Sequence, residues 1–139
     1  MKFLLDTCVL SEFIRKKPSS KLIDWLSSKN ENDLYLSVLT IGELQQGISK
    51  LDQGKRKLLL QNWLDNDISS RFHHRMIEID RNIIDHWGRL WGMAMKKGNT
   101  MPVIDSLLAA TAIAHGMTIV TRNVTDLQLG EVLIRNPWD

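Results

Sequence analysis

The chain has 139 residues, 43% of them hydrophobic and 24% charged, with a formal net charge of +2. This length predicts one domain over residues 1–139, and no apolar run approaches the ~20 residues of a membrane-spanning helix. The strand-like start predicts a cytoplasmic protein without a secretory leader, the lone Cys8 excludes an internal disulfide framework and reads as a packing residue, and the mild basic excess permits a polyanionic partner without requiring one.

Phe3-Leu4-Leu5-Asp6-Thr7 is an apolar run that stops abruptly at an acid and a hydroxyl, as the central strand of a parallel sheet does. Cys8 to Arg15 suits a short helix, and Lys16 to Ser20 breaks it, with Pro18 disfavouring helix at Lys17 and Ser19 or Ser20 free to cap the next turn. Leu22, Ile23, Trp25 and Leu26 make an amphipathic turn or two, and Ser27 to Asp33 is a polar loop. Leu34 to Val38 alternates as a second strand. A helix comes after it with Thr40 as its cap, Glu43 in its first turn, and Ile41, Leu44, Ile48 and Leu51 on one face. Asp52-Gln53-Gly54 interrupts, and Lys55 to Leu64 resumes helix with Leu58, Leu59 and Trp63 expected in the core.

Met76 to Asp80 reads as the third strand. Ile83, Ile84, Trp87, Leu90, Trp91, Ala94 and Met95 form a helical stripe ending at Gly98, and Trp87, Trp91 and Met95 would supply a dimer face if the core cannot hold them all. Pro102 opens the next helix, Val103 to His115, which Gly116 stops. Met117 to Thr121 is the fourth strand, Arg122 to Asp126 a loop, and Glu131 to Arg135 a short fifth strand. This alternation of strands and helices predicts an α/β fold, a parallel sheet of four to five strands with helices on both faces.

In such a sheet the carboxyl ends of strands and the amino ends of helices share one edge, where ligands bind. Asp6, Glu43, Asp105 and the segment holding Asn123 and Asp126 can therefore converge although they lie far apart in the chain. Carboxylates gathered without a cation repel and raise one another's pKa, and a hard divalent ion such as Mg²⁺, which prefers oxygen ligands, relieves that repulsion. Taken singly, an acid in a first turn does no more than complement the helix dipole, so convergence is the argument. The neighbours His73 and His74 read as surface or loop residues and His115 as a dipole partner at a helix end. There is no glycine-rich phosphate loop and no nucleophile elbow.

The segments Leu5-Asp6-Thr7-Cys8-Val9-Leu10-Ser11-Glu12, Leu36-Ser37-Val38-Leu39-Thr40-Ile41-Gly42-Glu43-Leu44, Asp105 to Ala112, Thr121-Arg122-Asn123 and Asn136-Pro137-Trp138 together resemble the PIN-domain ribonucleases. Among these the chain is similar to the VapC-type toxins of bacterial toxin-antitoxin pairs, including the FitB-like branch. The resemblance implies a three-layer PIN-like fold with strand order 3-2-1-4-5, and Asp6, Glu43 and Asp105 as metal-binding acids. It departs from the family's pattern at Cys8, where Asn is common, and at Asn123, where a fourth acid often falls, so that Asn123 or Asp126 is left as the candidate fourth ligand. It further implies Mg²⁺-dependent hydrolysis of RNA, with Mn²⁺ as a substitute and transfer RNA the first substrate to test, a cognate antitoxin, and a toxin homodimer. In that scheme Thr7 and Thr121 fix carboxylates or contact phosphate, and Arg122 binds the RNA backbone. Two alternatives stand beside it: a receiver-like signalling domain using Asp80 as phosphoacceptor, and a PIN-like domain that binds RNA or antitoxin without catalysis.

Overall fold

Phe3-Leu4-Leu5 forms β1 (Phe3–Leu5), buried at every position because a central parallel strand meets helices on both faces. The computed structural model describes residues 1–139. After β1 come α1 (Thr7–Glu12), α2 (Ser20–Ser27), a 3₁₀ turn (Glu31–Asp33), β2 (Leu34–Ser37), α3 (Val38–Ser49) and α4 (Lys55–Asn62). The last of these runs on through a π-helical stretch (Trp63–Ile68) into a final turn, α5 (Ser69–Arg71). Then come β3 (Met76–Ile77), α6 (Arg81–Lys96), α7 (Val103–His115), β4 (Thr118–Val120), α8 (Val124–Leu127) and β5 (Leu133–Arg135).

All four strand pairings are parallel, and the order is β3-β2-β1-β4-β5, the α/β arrangement expected from the sequence. The chain builds outward from β1 to one side and then returns to build β4 and β5 on the other, so the order reverses between β1 and β4. Alternation along β1 divides the core in two. Phe3 and Leu5 enter one cluster with Val9, Leu22, Leu36 and Phe72, while Leu4 enters the other with Leu108, Ala112 and Ile119. Each fully buried leucine contributes roughly 1.5–3 kcal/mol of apolar transfer. No helix is long and apolar enough to cross a membrane.

Several elements depart from the sequence-based expectation. Leu58 and Leu59 are each 69% exposed, whereas Trp63 packs against the core as expected, and Leu60 and Leu64 face it in place of the two leucines. Three successive leucines cannot share one helical face, and Gln61, which exchanges amide hydrogen bonds of 2.8 and 2.9 Å with Gln45 of α3, fixes the rotation. Thr40 lies buried inside α3 and is not its cap. Ser37 caps that helix, its Oγ accepting the Leu39 N–H at 3.0 Å, which moves Glu43 from the first turn to the second. β3 stops at Ile77 because Asp80 turns to cap α6, its Oδ1 accepting the Ile83 N–H at 3.0 Å. The segment expected as a loop from Arg122 to Asp126 contains most of the single turn α8.

Candidate active site

Asp6 is the first residue beyond β1 and the N-cap of α1. Its N–H donates to the Val120 carbonyl at 3.0 Å, continuing the ladder, and its Oδ1 accepts the Thr7 N–H at 2.7 Å. Because Leu5 pairs with Val120, Thr121 comes to stand directly opposite Asp6. The fully buried Thr121 donates its hydroxyl to Asp6 Oδ2 at 2.8 Å and accepts the Asn123 N–H at 2.9 Å. The Cys8 thiol donates to the same Oδ2 at 3.6 Å and accepts the Arg122 N–H at 3.4 Å, so Cys8 belongs to the site's wall rather than to the packing alone. Burial raises the Cys8 thiol's pKa above the usual range, and the neighbouring Asp6 charge adds to that, keeping it protonated.

Glu43 reaches the same place from α3, its Oε1 accepting the Thr7 hydroxyl at 2.6 Å. Asp105 arrives from the first turn of α7. Burial, followed by the charges of Asp6, Asp126 and Glu43, raises the Asp105 carboxyl above the usual carboxylate range. The acids therefore share one electrostatic field. Asp6, Glu43, Asp105 and Asn123 line a cavity of about 370 Å³, with Thr7, Cys8, Glu12, Arg15 and Arg122 in its wall. Asp126 is exposed on α8 and outside this lining, reaching the site only through its charge. A larger cavity of about 590 Å³, between the end of α6 and residues 128–130, carries no carboxylate. Asp80, the phosphoacceptor of the receiver-like alternative, is fixed as a helix cap and lies outside the acidic cavity.

No three His, Cys, Asp or Glu side chains are grouped tightly enough to form a ready-made metal cage. The donor set nevertheless suits a hard cation. Asp6, Glu43 and Asp105 form no ion pair, the arginines in the cavity wall pairing with Glu12 instead, and Mg²⁺ characteristically uses one or two carboxylates and completes its shell with water. Thr7 and Thr121 both direct their hydroxyls to carboxylates, the first of the two roles considered for them.

Glu12 is the wall residue that sequence reasoning missed. It is only 3% exposed, and it accepts the Ser19 N–H at 2.7 Å and contacts Arg15 at 3.3 Å and Arg122 at 3.6 Å. The signal available in the sequence was an acid set among Val9, Leu10, Phe13 and Ile14, a position where an unpaired charge is costly.

A model of the PIN domain matches residues 3–125. Toxin FitB of Neisseria gonorrhoeae is 33% identical over 97% of each chain. VapC ribonuclease Y4jK of Sinorhizobium fredii is 30% identical over 98% of this chain and 97% of its own. The structure of FitAB bound to an IR36 DNA fragment superposes with a TM-score of 0.90 at 32% identity, covering 99% of this chain and 96% of the other.

Proposed function

The chain belongs to the PIN domain family, and on that premise we propose that it is a VapC-type endoribonuclease, the toxin of a toxin-antitoxin pair, which hydrolyses RNA and is restrained by a cognate antitoxin. The observation that carries this reading is the convergence of Asp6, Glu43 and Asp105 on one cavity at the sheet's switch point. The names of the relatives, a toxin and a VapC ribonuclease, support the same activity.

Asp6 and Asp105 would hold Mg²⁺, or Mn²⁺ in its place, with Asn123 as a neutral further ligand. When bound, the ion lowers the pKa of a water and neutralises charge on the transferring phosphoryl group. Glu43 orients the attacking water; the water oxygen bonds to phosphorus, the bond to the departing ribose oxygen breaks, and the proton that the water gives up is balanced by the one that the ribose oxygen takes from solvent to become a hydroxyl. Thr7 holds Glu43 and Thr121 holds Asp6, so the carboxylates are positioned before substrate arrives. Arg122, half exposed at the cavity's edge, binds the RNA backbone. Transfer RNA is the substrate to test first. Met95 of α6, 64% exposed and one turn beyond Trp91 on the face of the Trp87–Trp91 pair, supports a homodimer through that helix.

The test is cleavage of a total small-RNA pool by the purified protein with Mg²⁺, with EDTA, and with Asp6→Asn. Discrete products that vanish under both EDTA and the substitution are expected. Products that persist in either control would refute the assignment, and a folded, metal-binding protein without cleavage would favour the non-catalytic alternative.

A further inference from the structure

Arg122 is held from two sides. Its guanidinium contacts Glu12 Oε2 at 3.6 Å, and its Cζ lies 4.6 Å from the centroid of the Trp138 ring. Trp138 is delivered by the segment after β5, where its N–H donates to Asn136 Oδ1 at 3.0 Å, and it packs partly against the larger core. The same Glu12 oxygen takes Arg15 at 3.3 Å, and Oε1 takes the Ser19 N–H at 2.7 Å. Burial opposes ionisation of Glu12, but the Ser19 N–H, Arg15 and Arg122 outweigh it and hold its carboxyl below the usual range.

A buried carboxylate that grips two guanidiniums does not neutralise them. Arginine has five donors, and each of these two contacts Glu12 through a single terminal nitrogen. Their side chains remain 57% and 51% exposed, and both line the cavity that holds Asp6 and Asp105. A guanidinium held over an indole keeps its edge donors free for an anion such as a phosphate, whose oxygens its planar fork can engage two at a time. Freed from Glu12, Arg122 would find its nearest anions among Asp6, Glu43 and Asp105 in the same cavity, where it would oppose cation binding. The Glu12 carboxylate thus keeps the arginine available and away from the acids.

Resting on the nuclease reading, we propose that Glu12 is a positioning residue that aims Arg122 at an RNA backbone phosphate beside the scissile one. The substrate-side chemistry is a phosphodiester of single-stranded RNA, gripped without base readout.

The proposal is tested by binding of a labelled, mixed-sequence single-stranded RNA in EDTA across a range of KCl, using the native chain, Glu12→Gln, Arg122→Ala and the double variant. Arg122→Ala should lower the salt slope by ~0.7, the value of one single-strand phosphate contact. Glu12→Gln should weaken binding roughly 2- to 10-fold, the cost of ordering one long side chain, with no further loss once Arg122 is absent. A purely electrostatic role predicts the opposite sign, tighter binding when a negative charge is removed. Tighter or unchanged binding, or losses that add in the double variant, would overturn the proposal. Trp138→Leu loosens the same arginine from its other side and must show the same dependence on Arg122 should Glu12→Gln fail to fold. Cleavage of the small-RNA pool with Mg²⁺ separates the two readings. Coupling without cleavage by the native chain refutes the nuclease and leaves the role of Glu12 standing, whereas cleavage without coupling refutes the role of Glu12 alone.

Discussion

Replacing Thr121 by valine isolates the hydrogen bond that fixes Asp6. The two side chains have nearly the same shape, and Thr121 is fully buried, so the change removes a hydroxyl without opening a cavity. Three interactions go with it, the 2.8 Å bond to the Asp6 carboxylate, the 2.9 Å bond from the Asn123 N–H and the long 3.7 Å contact with the Cys8 thiol. A hydrogen bond to a charged group contributes about 1.5–3 kcal/mol and a neutral one about 1 kcal/mol. Asn123 is exposed, so water recovers part of the second, whereas Asp6 keeps only the Thr7 N–H and the long thiol contact of Cys8. The expected loss is about 2–4 kcal/mol, roughly 7–14 °C in Tm for a chain of this size. Urea unfolding followed by circular dichroism gives the value, with the slope expected to stay native. Thr121→Ser is the control: it retains the donor and forfeits one buried methyl, about 1 kcal/mol. A valine variant as stable as the serine variant would refute the idea that this hydroxyl anchors the carboxylate.

Asp105→Asn should abolish cleavage and stabilise the metal-free protein. The folded carboxyl is raised, so the native state binds more protons than the unfolded chain in the window above the ordinary aspartate value of ~3.9, and stability falls as pH rises through it. The variant's advantage should therefore be present near neutrality and vanish in acid, and urea titrations in EDTA at both pH values decide the matter. Glu31 gives the opposite sign. The Arg71 hydrogen bonds lead in holding its carboxyl low, partial burial opposes them, and Arg75 adds to them. Its contribution is present above ~4.3 and is lost as pH falls through the lowered folded value, so Glu31→Gln should be less stable than native at neutral pH and converge with it in acid. Leu58→Ala on the exposed face of α4 should change stability by less than ~0.5 kcal/mol, whereas Leu64→Ala, 2% exposed in the core, should cost about 2–5 kcal/mol by chemical denaturation.

Local chemistry made much of this molecule legible from its residues. The unbroken Phe3-Leu4-Leu5 run identified a strand buried on both faces, and the glycines at 98 and 116 marked helix ends that the structure closes in the left-handed conformation. Asp6 and Asp105 could be placed at a strand end and a helix start because those boundaries carry their own signals. The caps at Ser37 and Asp80 were less legible, since Ser37 competes with Thr40 for the same role and Asp80 continues an apolar alternation that resembles strand.

What the sequence determined by itself was the alternation of elements and the family pattern of its acids, because short-range periodicity and motif residues are written contiguously. Tertiary structure decided the rest. The pairing of Leu5 with Val120 sets Thr121 against Asp6, and the rotation of α3 brings Glu43 to the Thr7 hydroxyl. Glu12 is an acid in an apolar turn, and the fold supplies the Ser19, Arg15 and Arg122 partners that let it be buried as a charge. Partners separated by more than a hundred residues, such as Glu12 and Arg122, meet only through strand register and crossover, and no local propensity encodes either.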